Sequence, residues 1–269
     1  MPHVQLREVV MYYEEVGEGP PLLLITGLGG HSGAWALQIP ALARSNRVIA
    51  MDPRGAGRTS APDKPYSIAG MAEDIAQLMD ALEIAKASVV GLSLGGSIAL
   101  DLASAHPDRI ENLVLIGATA RPDGRQRLIA HGLIAVRRSS LSGGEAALLL
   151  APWVGSSALL ADTPRLKQAI GNFANDPYPT PDHSYVRQAQ ALLDYDATDR
   201  LAAIEHPTLV LAGEEDILVA PANGAAIAEA MPNATLRELP GGHMGMAEYT
   251  QEYTAAILQF LAAPVPASA

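Results

Sequence analysis

The sequence predicts an α/β fold: a doubly wound, mostly parallel sheet with a helical lid inserted between two of its strands. Three observations carry that expectation. Short, unalternating apolar runs recur along the chain, helical patterns separate the early ones, and between residues 121 and 200 the rhythm breaks, leaving helical patterns alone.

The first run, "PPLLLIT" (Pro20 to Thr26), reads as a strand covered on both faces, since a strand with one wet face would alternate. The runs "RVIAMD" to Asp52, "ASVVGLS" to Ser93 and "NLVLIG" to Gly117 repeat it, and "TLVLAGEED" (Thr208 to Asp216) comes much later. Between the second and third runs, Ile68, Met71, Ile75, Leu78, Met79 and Leu82 recur at helical spacing. Ser67 is placed to cap that helix, and Glu73 and Asp74 fall early in it, where the dipole favours acids. After the third run a small-residue helix through Ile98, Leu100 and Leu102 ends near His106 and Pro107, because proline disfavours helix before it. Strand and helix in alternation imply a parallel sheet.

The segment 121–200 holds "RQRLIAHGLIAVRR", "EAALLLAPWVG" and "SYVRQAQALLDYD", separated by Pro and Gly clusters. Both of its ends return to the same sheet, so residues 1–269 read as one domain and 121–200 as a lid within it. The tail "APVPASA" is expected to fray.

With 49% hydrophobic and 17% charged residues, a chain of 269 residues can build a core without covalent staples. The absence of cysteine excludes disulfides, thiolate nucleophiles and Cys-ligated metals. A formal net charge of -11 disfavours nucleic acid and anionic membrane as partners. The N-terminal stretch carries Arg7, Glu8, Glu14 and Glu15 and no long apolar run, so neither a signal peptide nor a membrane span is expected, and a cytoplasmic location is. No motif calls for a cofactor or a metal.

Chemistry concentrates at "GLSLGG". Gly91, Ser93 and Gly95 form G-x-S-x-G at the point where a buried strand gives way to a helix. That is the setting of a nucleophile elbow, although an ordinary glycine-rich turn would carry the same letters. A serine hydroxyl needs a general base, and the base needs a partner to fix its tautomer. Asp216 at the end of the late strand and His243 in "RELPGGHMG" supply them in the chain order serine, acid, histidine. Glu214 and Glu215 compete for the acid position, and His3, His31, His106, His131, His183 and His206 for the base. The oxyanion formed on attack needs preplaced donors. The Leu94 amide at the helix start and the Leu28 amide in "ITGLGGHSGAW" are the candidates, the loop glycines allowing close backbone approach.

Taken together, "TGLGG" with Trp35 following, "DPRGAGRTS" (Asp52 to Ser60), "GLSLGG", "LAGEED" and "GGH" make the chain resemble the α/β-hydrolase superfamily over nearly its whole length. The resemblance implies the triad Ser93, Asp216 and His243 with the Leu28 and Leu94 amides as oxyanion hole. Serine at the elbow argues against the epoxide-hydrolase and haloalkane-dehalogenase branches, and the finer likeness is to 3-oxoadipate enol-lactonases and small carboxylesterases. One departure stands out: many relatives have His-Gly where this chain has Thr26-Gly27.

The expected function is therefore cofactor-independent hydrolysis of a small carboxylic ester or lactone. Carbon-carbon bond hydrolysis or perhydrolysis with the same triad, and a small-molecule sensor on the same fold, are the alternatives. Trp153, Val154 and Leu149 are expected to line an acyl pocket, with Leu148, Leu150, Phe173 and Tyr178 adding apolar surface to the lid. Arg121, Arg125, Arg127, Arg137 and Arg138 gather at the start of the lid, where they could meet a substrate carboxylate or simply form a solvated face.

Overall fold

A computed structural model describes residues 2–263, so the "APVPASA" tail beyond Ala263 lies outside the described residues. Eight strands form one sheet: β1 (His3–Gln5), β2 (Val10–Val16), β3 (Pro21–Ile25), β4 (Arg47–Met51), β5 (Ala87–Leu92), β6 (Ile110–Ile116), β7 (Thr208–Gly213) and β8 (Ala234–Leu239). Their spatial order is β1-β2-β4-β3-β5-β6-β7-β8. The strands from β4 to β8 in that order run parallel, as the apolar runs of β3 to β7 imply, with the half-exposed β8 at one edge, while β1 and β2 join the other edge antiparallel. Those two N-terminal strands were not expected from the sequence.

The helices are α1 (Ile39–Leu42), α2 (Ile68–Ala81), α3 (Leu94–Ala105), α4 (Gly124–Arg137), α5 (Gly143–Val154), α6 (Ser157–Ala161), α7 (Thr163–Ala174), α8 (Asp182–Leu193), α9 (Pro221–Ala230), α10 (Gly245–Glu248) and α11 (Thr250–Leu261). Because strand side chains alternate, Leu23 and Ile25 of β3 enter one core with α2, α3 and Ile227 of α9, while Leu22 and Leu24 enter the other with Trp35, Leu42 and α11. All four β3 residues are fully buried, which is why the run shows no polar alternation.

Helix α2 begins as its sequence predicts, with the Ser67 hydroxyl accepting the Gly70 N–H at 3.0 Å. Its first turn holds no acid: Glu73 and Asp74 fall in the second turn, past the reach of the dipole they were expected to complement, and Asp74 serves another purpose. It is buried and takes both Arg54 Nε and an Arg54 terminal nitrogen at 2.7 Å, pinning the loop after β4 to α2.

Helices α4 to α8 fill the connection between β6 and β7, with no strand among them. This insertion is attached through α8 and the residues that follow it: Ala191 and Tyr195 lie in the main core, and the Tyr195 hydroxyl donates to the Ser97 carbonyl at 3.1 Å. The order β4-β3-β5 reverses direction at β3, so the loops leaving β3 and β5 open a crevice at the carboxyl edge of the sheet. Ligands of open parallel sheets bind in such a crevice.

Candidate active site

Ser93 stands at that crevice with φ 54° and ψ −117°, a left-handed conformation that costs a non-glycine residue roughly 1–3 kcal/mol. Its surroundings leave little alternative. The Ser93 N–H donates to the Ile116 carbonyl on β6 at 2.8 Å, and the Gly96 N–H closes onto the Ser93 carbonyl at 2.8 Å. A Cβ at Gly91 would strike the Gly95 carbonyl, and one at Gly95 would strike the Ile25 carbonyl on β3. The glycines of "GLSLGG" are thus fixed by close packing of strand, turn and helix.

His243 and Asp216 arrive from the ends of β8 and β7. Asp216 is buried, and its Oδ1 accepts the Leu218 and Val219 N–H groups at 3.0 and 2.8 Å, which orients Oδ2 toward His243 Nδ1 at 2.7 Å. Main-chain bonds from Glu214 to Leu239 at 2.9 Å and from Glu215 to Gly241 at 3.0 Å tie the acid's turn to the histidine's loop. On the other side of the ring, His243 Nε2 lies 3.0 Å from Ser93 Oγ. A carboxylate can only accept, so Nδ1 carries the proton, and Nε2 is left as the acceptor for the serine hydroxyl.

Several of the rival acids and bases are engaged elsewhere. Glu215 accepts the Ser157 N–H at the start of α6 at 2.8 Å, the Ser157 side chain and main chain together hold its carboxyl below the usual carboxylate range, and Glu214 is exposed. His31 pairs with Asp176 at 3.0 Å, and His106 with Glu73 at 3.1 Å.

The loop after β3 folds over Ser93 as a tight turn, closed by the Gly30 N–H on the Gly27 carbonyl at 3.0 Å. A Cβ at Gly27 would lie 3.1 Å from Ser93 Cβ, which sets the Gly27–Leu28 peptide beside the Ser93 side chain. Thr26, the departure from the His-Gly pattern, is buried beneath this turn, its hydroxyl 2.6 Å from where a Cβ of Gly30 would be. Among the described residues, the Leu28 N–H makes no hydrogen bond within the protein. The Leu94 N–H, first in α3, has no i−4 carbonyl to meet. Two main-chain donors are therefore available next to one hydroxyl.

The sequence profile of the family described as alpha/beta hydrolase fold matches residues 20–248. The chain belongs to that family. RutD of Caulobacter sp. (strain K31), provisionally named a carbamate hydrolase, is 37% identical over 259 residues, covering 93% of this chain and 95% of the relative. An enol-lactonase from Burkholderia xenovorans LB400 superposes with a TM-score of 0.88 at 28% identity, over 97% of this chain and 100% of that one. A hydrolase from Pseudomonas aeruginosa PA01 gives 0.87 at 33% identity, over 97% and 98% of the two chains. The superfamily resemblance carried by the motifs is thus established, and the chain stands among hydrolases.

The insertion of this α/β hydrolase agrees less closely with the expected acyl pocket. A cavity of about 620 Å³ is lined by Arg125, Leu128, Ile129, Trp153 and Ile217, the last following Asp216 directly. Trp153 lines it; Leu149 is 52% exposed and does not, because α5 turns Leu148 and Leu149 outward. Val154 meets the histidine loop through its main chain, accepting the Met244 N–H at 3.0 Å. The arginines do not act as one cluster. Arg121 pairs with Asp196 at 3.6 Å, Arg127 is exposed, Arg137 donates to the Thr180 carbonyl at 2.6 Å, and Arg138 borders a separate cavity, leaving Arg125 at the cavity beside Trp153.

Sequence reasoning missed the residues through which the insertion grips the site, chief among them Thr180, Tyr185 and Gln188. Tyr185 packs its ring against Gly29, with the Arg137 guanidinium 4.8 Å from the ring centre. Burial pushes its phenol up to about 12, against the pull of Arg137. A raised phenol favours folding fully below the unfolded value of 10.0, and that contribution is lost as pH rises through 10 toward 12. Thermal melts between pH 9 and 12 are therefore expected to show a shallower alkaline fall in Tm for Tyr185→Phe than for wild type. Parallel curves would show that the phenol ionises freely in the folded protein.

Among the described residues no three His, Asp or Glu side chains converge as a metal site requires, and no helix is long and apolar enough to cross a membrane.

Proposed function

We propose that this α/β hydrolase cleaves a small carboxylic ester or lactone through an acyl-enzyme on Ser93. The observation that carries the reading is the continuous hydrogen-bonded chain from Ser93 Oγ through His243 to Asp216 Oδ2, at a strained turn facing two unspent amides. In this reading the Ser93 oxygen attacks the carbonyl carbon as His243 Nε2 takes its proton. The oxyanion falls to the Leu28 and Leu94 N–H groups, and the imidazolium is held against Asp216. Collapse expels the alcohol, which receives the proton from His243, and a water activated by the same nitrogen releases the acid. Every proton is accounted for by side chains of this chain, so the cycle calls on no cofactor.

The likeness to RutD supports a second substrate class, since a carbamate presents the same carbonyl to the same nucleophile with nitrogen on the acyl carbon. A panel of p-nitrophenyl esters, lactones, carbamates and a vinylogous diketone tests the assignment. Turnover is expected on esters or lactones; exclusive turnover of the carbamates would move the assignment to that class, and exclusive turnover of the diketone would move it to carbon-carbon cleavage. Saturable binding without turnover of any of them would leave the fold as a sensor.

We further assign the cavity at Trp153 to the acyl group, with the helical insertion as a lid that sets selectivity. Trp153 is 42% exposed, so its indole is available to a ligand and not spent on packing. Trp153→Ala is expected to lower kcat/KM for bulky acyl groups by about 1–3 kcal/mol and to leave acetyl esters nearly unchanged. An equal loss across short and bulky acyl groups would place the acyl site elsewhere.

A further inference from the structure

The oxyanion-loop turn is gripped from outside by the helical insertion. At its third residue, Gly29, φ is +71°, a conformation open to glycine, and a Cβ there would lie 2.6 Å from the Tyr185 ring. The Gly29 N–H donates to Gln188 Oε1 at 2.9 Å, and the Gly29 carbonyl accepts the Thr180 hydroxyl at 2.9 Å. Both polar groups of one residue are therefore satisfied by side chains some 150 positions away in sequence, at and just before α8. Gln188 is fully buried, and its other end is fixed as well: Nε2 donates to the Arg54 carbonyl at 2.8 Å. Arg54 in turn is anchored by two 2.7 Å bonds to Asp74. With one end donating and the other accepting, the Gln188 amide has a single orientation, and that orientation presents an acceptor to Gly29.

A turn of sequence Gly-Leu-Gly-Gly has little intrinsic preference for one peptide orientation, because glycine admits both signs of φ. Gln188 fixes the Leu28–Gly29 peptide and Thr180 the Gly29–Gly30 peptide, and the Gly30 N–H bonds the Gly27 carbonyl at 3.0 Å, so the adjoining Gly27–Leu28 peptide, which bears the Leu28 N–H, is held through both neighbours; an oxyanion donor works only when preplaced to within a few tenths of an ångström. We propose that Gln188, assisted by Thr180, is a positioning residue that holds the Leu28 amide in its catalytic orientation, so that formation of the oxyanion hole depends on docking of α8. This inference rests on the ester or lactone hydrolase reading given above.

The test compares wild type, Gln188→Met, Gln188→Glu and Thr180→Val on one p-nitrophenyl ester, with circular dichroism and Tm recorded for each. Gln188→Met keeps the side-chain length and removes both bonds; kcat is expected to fall about 30- to 100-fold with KM changed less than threefold, since a misplaced donor is felt in the transition state. Gln188→Glu supplies a readout that mere packing would not move. A protonated carboxyl can accept from Gly29 and donate to Arg54, whereas a carboxylate can only accept. The ratio of its kcat to that of wild type is therefore expected to rise as pH falls, while the ratio for Gln188→Met stays flat. Should Gln188→Met fail to fold, Thr180→Val, which is nearly isosteric and removes only the carbonyl-side bond, is expected to lower kcat severalfold with a native spectrum.

A folded Gln188→Met with kcat within twofold of wild type overturns the proposal, as does a Gln188→Glu ratio that does not respond to pH. Where Thr180→Val carries the test, an unchanged kcat overturns it. A wild-type protein inert toward every ester and lactone is a different result, because it overturns the hydrolase reading itself.

Discussion

Ser93→Ala is expected to lower ester turnover by on the order of 10⁶-fold while leaving the fold intact. The size of the effect follows from the loss of the covalent route, since the remaining amides and base can assist only direct attack by water. The small structural cost follows from the elbow. The turn at Ser93 is held by main-chain bonds to Ile116 and Gly96 and by the packing of Gly91 and Gly95, and among the described residues the hydroxyl bonds only to His243. Alanine meets the same left-handed backbone at the same price in strain. Steady-state kinetics on a p-nitrophenyl ester together with a thermal melt check both halves. Activity above about one per cent of wild type in a clean preparation would mean that another group is the nucleophile.

Asp216→Asn is expected to cost on the order of 10⁴-fold in kcat, again with little loss of stability. The asparagine carbonyl can keep accepting from Leu218 and Val219, so the turn after β7 should survive. Its amide nitrogen then faces His243 Nδ1 as a donor, which forces the proton of the ring onto Nε2. That nitrogen sits 3.0 Å from Ser93 Oγ, where the reaction needs an acceptor. A mild effect of Asp216→Asn beside a severe one of Glu215→Gln would contradict the assignment, since Glu215 faces the Ser157 N–H at the start of α6 and not His243.

The parts of this molecule that were legible in sequence are those where local pattern and chemistry coincide. The run Leu22 to Ile25 reads as a doubly covered strand because it is one, and Ser93 reads as an elbow because glycine is required at contacts on both sides of it. Asp216 and His243 follow from what a serine nucleophile needs at neighbouring strand ends. Legibility falls where the determining contact is distant. Nothing near Gln188 in sequence marks it as the acceptor for Gly29, although a glutamine on the buried side of α8, beside Ala189 and one turn before Ala191 and Leu192, is a polar residue that burial obliges to find partners.

Apolar character also misleads on the insertion. Leu148, Leu149 and Trp153 share α5, yet all three are substantially exposed, because the helix packs through Ala146, Ala147 and Ala151. The strands β1 and β2 escaped notice for the opposite reason. At a sheet edge their residues are partly wet, so Tyr13, Glu14 and Glu15 dilute the apolar signal that marks the central strands. Arg54 and Asp74 illustrate a third case: twenty positions apart, each looks like a surface charge until the fold buries them against each other.

The central claim is that Ser93 is a nucleophile activated by His243, and covalent labelling tests it most directly. Wild-type protein incubated with a fluorophosphonate should gain one stoichiometric adduct, located on Ser93 by peptide mass spectrometry, with hydrolytic activity lost in the same proportion. Ser93→Ala should take up none, and Asp216→Asn should label far more slowly. An unlabelled protein that still hydrolyses esters, or a stoichiometric adduct on a residue other than Ser93, would contradict the account.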